Sequence, residues 1–242
     1  MAIMKNRTRK TEEHLTRLFS QRKAFSEHLI KWEDNLLPDK YDRNCFEYSG
    51  QPTREEFQSA VKYQQRIGAG FIKLEGNDPL EDSFGLEAGV TLTMVLTSRG
   101  TDWKTNPYLT FRTPTVKELE EIEVKHFGPP YGEDFTKRNI RRQYEKLTYH
   151  GAYLGEKLVG SCYSFTSDGL ICIDGLIVDS EHRKRYIATT LIARIKDSYP
   201  DKTLFLHADD DDTPKEMYKK MGFETVDRLY EYICTDISAL GE

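Results

Sequence analysis

Residues 170–178 read Leu-Ile-Cys-Ile-Asp-Gly-Leu-Ile-Val, and no other stretch constrains the fold as strongly. A nearly continuous apolar run of strand length belongs in the middle of a sheet, covered on both faces. It passes through a polar turn (Asp179–His182) into a helix that opens on Arg183-Lys-Arg185 and is read over 183–197. A central strand feeding a helix leaves that helix's first N–H groups unpaired at the carboxyl edge of the sheet. The chain therefore has to build an α/β domain around this unit.

The surrounding periodicities agree. Tyr108–Arg112 reads as a strand, and Thr115-Val-Lys-Glu118 as a capping box opening a helix to about His126. Residues 127–132 read as a loop and Glu133–Leu147 as a helix. Gly151–Leu154 and Lys157–Thr166 form a hairpin through Gly155-Glu156. Thr203–His207 is a strand, and Thr213-Pro-Lys-Glu216 a further capping box whose helix ends at Gly222. Phe223–Cys234 supplies the last strands. The order is β-α-α-β-β-β-α-β-α-β.

The first half is less regular. Residues 11–36 place apolar side chains at roughly helical spacing and read as one helix stopped by Leu37-Pro38-Asp39. Cys45–Tyr48 reads as a strand, and Thr53-Arg-Glu-Glu56 as a capping box before a second helix. Phe71–Leu74 and Val90–Leu96 read as strands. The polar segment 97–107 marks a boundary between an N-terminal α+β domain, 1–104, and a second domain, 105–242.

Composition narrows the function classes. Lys+Arg is 35 against Asp+Glu 40, a net charge of −5, so bulk electrostatics do not favour nucleic acid. No apolar run is long enough to span a membrane, and the basic Met1–Lys10 segment is not followed by a signal-peptide apolar region. Cys45, Cys162, Cys172 and Cys234 are scattered and read as reduced thiols of a cytoplasmic protein.

Two units carry candidate chemistry. Arg183-Lys184-Arg185 oppose the dipole of the helix they introduce, which a nearby anion would explain, as would a solvated basic turn. Asp209–Asp212 precede the last helix. They read as N-terminal capping, or as charge that draws a cationic amine.

In this order and spacing the two units resemble the GNAT superfamily of N-acetyltransferases, over about residues 108–235. Leu176-Ile-Val178-Asp-Ser-Glu-His-Arg183-Lys-Arg-Tyr186-Ile-Ala188 falls on that family's strand followed by R/Q-x-x-G-x-G/A. Tyr218, Gly222 and Phe223 match its second motif, and GAYLGEKLVGSCYSF looks like its β2–β3 segment. The resemblance implies the acyl-CoA N-acyltransferase fold, a mixed and mostly antiparallel sheet flanked by helices. It implies acetyl-CoA as cosubstrate and a small-molecule or protein amine as acceptor. Pantetheine would lie along Leu176, Ile177 and Val178, with the Leu176 amide at the thioester oxygen. The diphosphate would sit on the amides of Arg183, Lys184, Arg185, Tyr186, Ile187 and Ala188. Tyr218 would protonate the leaving thiolate, or else be a core aromatic. Asp174 is the candidate general base, or else a polar group of a bulge beside Gly175. Cys172, His150 and His207 are further candidates with structural readings of their own. No metal is implied. Two copies could pair through C-terminal strands.

This chain departs from the family pattern at one position that bears on binding. Tyr186 stands where the family has Gly, and the expectation is that it keeps helical angles while its side chain crowds the phosphates or stacks over the cofactor. Residues 71–96 also resemble 204–234, which suggests a shortened GNAT-like first half without the phosphate loop, or a chance likeness of two β segments. The functional expectation is acetyl transfer to a primary amine. The alternative is a non-catalytic CoA-binding or protein-interaction module that keeps the fold.

Overall fold

The computed structural model describes residues 2–98 and 103–240. The elements are α1 (Ala2–Arg17), β1 (Gln21–Ala24), β2 (Leu29–Glu33), β3 (Phe46–Tyr48), α2 (Arg54–Arg66), β4 (Ile72–Gly76) and β5 (Glu87–Leu96). They continue with β6 (Thr110–Arg112), α3 (Val116–Tyr131), α4 (Glu133–Tyr144), β7 (Thr148–Leu154), β8 (Lys157–Ser167) and β9 (Leu170–Val178). The last are α5 (Ile187–Ser198), β10 (Thr203–Asp209), α6 (Pro214–Lys220) and β11 (Phe223–Cys234). From β6 onward this is the order read from the sequence, in a mixed and mostly antiparallel α/β fold.

Two compact units arise, and neither is one continuous segment. One gathers Met1–Thr11, Met94–His207 and Thr213–Thr225, the other Glu12–Thr93, Ala208–Asp212 and Val226–Glu242. The boundary segment 97–107 includes residues 99–102, which lie outside those described.

In the first unit the strands run β10-β9-β8-β7-β6. The ladders are antiparallel except β9/β10, which is parallel, with α5 as the crossover. On one face Leu119, Ile122 and Ile140 pack with Tyr149, Tyr153, Leu158 and Ile177. On the other, Ile187 and Leu191 of α5 pack with Ala152 and Val159. Here α5 lies so close to β8 that a Cβ on Gly160 would stand 2.7 Å from Ile187 Cγ2.

The second unit repeats this local topology. β1/β2 and β2/β3 are antiparallel, β3/β4 is parallel, and α2 makes the crossover. Its core joins Leu29, Phe46, Phe57, Ala60, Ile72 and Leu74. Buried Lys73 is held by Asp42 at 3.0 Å, Glu75 at 3.2 Å and Glu231 at 2.5 Å.

Several expectations need correction. Residues 11–36 are not one helix: α1 ends at Arg17 and a hairpin follows. Leu29, Lys31 and Trp32 are buried by pairing with β3, so strand pairing overrides a loose helical period. Segment 127–132 is not a loop, because α3 continues to Tyr131. Proline removes a donor but its φ is helical, and the turn comes only at Gly132, at φ +89°. At Thr213 the capping box does not form; the residue is itself helical and its side chain makes no capping hydrogen bond. Helix α5 starts at Ile187 rather than Arg183.

The other two capping boxes are complete. Thr53 accepts from the Glu56 amide and Glu56 from the Thr53 amide, and Thr115 and Glu118 do the same. Glu56 also accepts from the His28 amide and ring at 3.0 Å each. Burial alone would raise the Glu56 carboxyl, but its hydrogen bonds from Thr53 and His28 outweigh this and hold it at about 2. The Arg112 guanidinium, which Glu118 meets bidentately, and Thr115 hold Glu118 at about 2.

A folded-state value below the ordinary 4.5 means stability is present above pH 4.5 and is lost as pH falls toward 2. Thermal melts across that range should show Tm falling steeply, and Glu56→Gln and Glu118→Gln should each flatten the acid limb. Thr53→Ala should cost about 1 kcal/mol in chemical denaturation.

Candidate active site

Strand β9 is paired along its whole length on one side and only half of it on the other. Against β10 its register runs from Leu170↔Thr203 to Ile173↔Leu206 and stops. Against β8 it continues to Val178↔Gly160, with a register break between Ser161 and Tyr163. At that break Ser161↔Ile177 and Tyr163↔Asp174 leave Gly175 and Leu176 opposite the single residue Cys162, which is a β-bulge. Gly175 has φ +61°, and a Cβ there would lie 2.7 Å from Tyr163 Cε1. Only glycine fits this bulge without strain.

The bulge sets which backbone groups are free. The Asp179 amide donates to the Val159 carbonyl at 3.0 Å. Alternation along an antiparallel ladder then turns the Ile177 amide toward β8 and that of Val178 away from it, while Leu176 belongs to the bulge, where the alternation is interrupted. Val178 thus presents its hydrogen-bonding groups on the side where the pairing with β10 has stopped. A strand edge of this kind takes an extended ligand.

Asp174 sits at the start of the bulge. Its carboxylate accepts from Tyr163 Oη at 2.5 Å and from the Gly175 amide at 2.7 Å. Tyr163 packs on Tyr149 (ring centroids 5.7 Å), and Tyr149 Oη donates to Gln143 at 3.1 Å. The bulge reading of Asp174 is therefore correct as geometry, and it places a carboxylate where β9 opens. Tyr163 was not singled out in the sequence; only its position on the strand opposite Asp174 could have pointed to it.

After β9 the chain makes a 3-10 turn, Ser180–His182, capped by Asp179, which accepts from the Glu181 amide at 3.0 Å. Burial pushes the Asp179 carboxyl up, but that amide, Lys125 and Lys157 outweigh it and lower it overall. Ligand atoms of Asp179, Glu181 and His182 lie within 4.8 Å of one another, a spacing that suits a metal ion. Lys125 at 3.5 Å and Lys157 at 3.4–3.7 Å already balance the two carboxylates.

The basic segment follows. Arg183, Lys184 and Arg185 are exposed, and Lys184 and Tyr186 are left-handed at φ +61° and +59°. Tyr186 does not keep helical angles as expected: it is the N-cap of α5, at ψ 22°, and offers no side-chain cap. It adopts the conformation that a glycine would hold freely, at a cost of about 1–2 kcal/mol. Thr190 fastens it from below, with its amide donating to the Tyr186 carbonyl at 3.0 Å and its Oγ1 to the same oxygen. Asn106 braces the loop from the side through the Arg185 carbonyl at 3.1 Å and Thr190 Oγ1 at 2.9 Å. Neither Asn106 nor Thr190 stands out in the sequence. The amides of Ile187 and Ala188 begin an uncapped helix behind three cations, which is an anion-binding arrangement.

The remaining candidates lie on several elements. Tyr218 is buried in α6 with its ring 5.9 Å from Phe223. Cys172 is buried in β9 opposite Phe165. His150 contacts Ser164 Oγ at 2.8 Å, and burial lowers its pKa to about 4. The His207 ring packs edge-on against Phe205. Within the acidic run, Asp210 pairs with Arg228 at 2.9 Å. The Asp209 carboxyl is raised by burial and by Glu231 and Asp212. No helix of the described residues is long and apolar enough to cross a membrane.

Residues 116–223 match the model of the acetyltransferase (GNAT) family. No curated protein matches the chain. Among solved structures, a functionally unknown conserved protein from Staphylococcus epidermidis superposes with a TM-score of 0.77 at 17% identity, over 90% of this chain and 94% of its own. A GCN5-related N-acetyltransferase from Kribbella flavida gives 0.62 at 12% identity, over 93% of each chain. A tandem GNAT protein from the clavulanic acid biosynthesis pathway gives 0.53 at 13% identity, over 85% and 78%. At such identities these likenesses speak to the fold.

Two substitutions test the construction of the site. Gly175→Ala should destabilise the protein by about 1–3 kcal/mol, because the bulge angle and Tyr163 both resist a Cβ. Thr190→Val should remove the Oγ1 bonds to Tyr186 and Asn106, keeping the backbone bond to Tyr186, and expose the 183–188 loop to faster amide hydrogen exchange, with the exchange of β9 unchanged.

Proposed function

We propose that the protein transfers an acetyl group from acetyl-CoA to a primary amine, because residues 116–223 match the model of the acetyltransferase (GNAT) family. The observation that carries this reading is the strand edge opened at Ile173 running directly into an uncapped helix behind three cations. Pantetheine lies against Leu176, Ile177 and Val178, and the amide of Leu176 meets the thioester oxygen as it gains charge. The diphosphate rests on the amides of Arg183 to Ala188. Asp174, held by Tyr163, accepts a proton from the acceptor's ammonium, and Tyr218 returns one to the departing thiolate. The acceptor is a small molecule or a protein amine.

We assign 105–242 as the catalytic domain and 1–104 as a GNAT-like partner. The repeated β-β-α-β topology supports the second assignment. So does the difference between the two crossover helices. The start of α2 is capped by Thr53 and Glu56, so its amides are already engaged, whereas Tyr186 gives α5 no such cap. A phosphate site at the start of α5 and not at that of α2 follows.

The burial of Tyr218 against Phe223 favours a second reading, a non-catalytic module that keeps the fold.

Calorimetric titration with acetyl-CoA and desulfo-CoA separates the two. The catalytic reading expects salt-sensitive binding of both, followed by CoA release with an amine panel. Absence of binding at millimolar ligand would overturn it. Given turnover, Tyr218→Phe should lower kcat on the order of 10²-fold with little change in acetyl-CoA affinity. An unchanged kcat with a lowered Tm would place Tyr218 in the core alone.

A further inference from the structure

Two tyrosine side chains at the phosphate loop have no part in the steps above. Tyr108 is 80% exposed and Tyr186 48%. One side-chain amide joins them. Asn106 Oδ1 accepts from the Tyr108 amide at 3.0 Å, and its Nδ2 donates to the Arg185 carbonyl at 3.1 Å. The backbones of Tyr108 and of Arg185-Tyr186 are therefore separated by a single amide group. Each ring stands in water and adds little to either core, although lone exposed aromatics are common. What distinguishes this pair is the charge around it, since Arg183, Lys184 and Arg185 are all exposed. Aromatic faces set among cations suit a nucleobase attached to phosphate.

The covalent structure of CoA supplies such a group. Its adenosine 3′-phosphate is joined directly to the diphosphate, so a diphosphate seated on the amides of Arg183 to Ala188 brings the adenine within reach of that same loop. The geometry points to an adenine platform: the base stacks on Tyr186 with Tyr108 at its side, and the 3′-phosphate meets Lys184 and Arg185. This rests on the acetyl-CoA reading and adds to it a specific recognition of the nucleotide end. It also gives the left-handed Tyr186 a role that the glycine of the family pattern could not fill.

The test is calorimetric titration of the full chain with CoA, 3′-dephospho-CoA and 4′-phosphopantetheine. The wild-type protein should bind CoA more tightly than either shorter probe. Tyr186→Gly should weaken CoA about tenfold, the loss of one stacked base, and leave phosphopantetheine unchanged. Tyr186→Phe, which keeps the ring, should bind CoA like wild type. Lys184→Ala with Arg185→Ala should abolish the preference for CoA over 3′-dephospho-CoA. Tyr186→Gly relaxes a left-handed residue, so a melting temperature at or above wild type excludes misfolding as the cause of weaker binding. CoA binding by Tyr186→Gly as tight as wild type, or tighter, would overturn the platform, as would equal wild-type affinity for CoA and phosphopantetheine. Failure of wild type to bind any of the three overturns the acetyl-CoA reading itself, a different result from either of these.

Discussion

The first unit depends on a single parting of strands. β9 and β10 run parallel through Ile173↔Leu206 and then separate, while β9 stays on β8. The separation coincides with the bulge at Gly175-Leu176, where one extra residue sharpens the local twist. A regular ladder would have used both edges of β9. Because it breaks here, the edge of β9 from Asp174 to Val178 is left without a partner in β10. Gly175 is the steric key, since its left-handed angle and the Tyr163 ring leave no room for a side chain.

The same strand logic occurs twice in the chain with opposite chemical outcomes. Both β3-α2-β4 and β9-α5-β10 are parallel crossovers. In the first, Thr53 and Glu56 satisfy the helix start from within. In the second, the helix starts from a left-handed tyrosine without a cap, and Asn106 and Thr190 hold the loop open through carbonyls rather than through its amides. What a helix N-terminus can bind is thus decided by whether its own sequence has already used its donors.

Electrostatics follow the same division of labour. The carboxylates that shape the structure are well partnered, Glu56 and Glu118 in capping boxes and Asp179 between a turn amide and two lysines. Arg183, Lys184 and Arg185 instead remain in solvent, crowded at the positive end of a helix dipole. Repulsion of this kind persists most readily where an anion can relieve it.

Much of this was legible in the sequence, and what was not has a physical reason. Local rules identified Thr53 and Thr115 as capping boxes, the hairpin at Gly155, the β9 strand and the element order from β6 to β11, because each depends on residues within a few positions. The family resemblance, later matched over 116–223, rested on spacing of the same short range. Residues 11–36 misled because an irregular apolar pattern fits helix and hairpin alike, and only pairing of β2 with a distant β3 chooses between them. The box at Thr213 failed because Thr213 itself entered the helical region. The left-handed Tyr186 and the partners Asn106, Thr190 and Tyr163 were invisible for the same reason: their roles arise from contacts across the fold. The sequence by itself determined which segments become strands and helices around residues 170–198, since hydrophobic period and caps act locally. Tertiary structure alone decided where β9 leaves β10 and which amides stay free, since those depend on where two strands, far apart in the chain, stop matching.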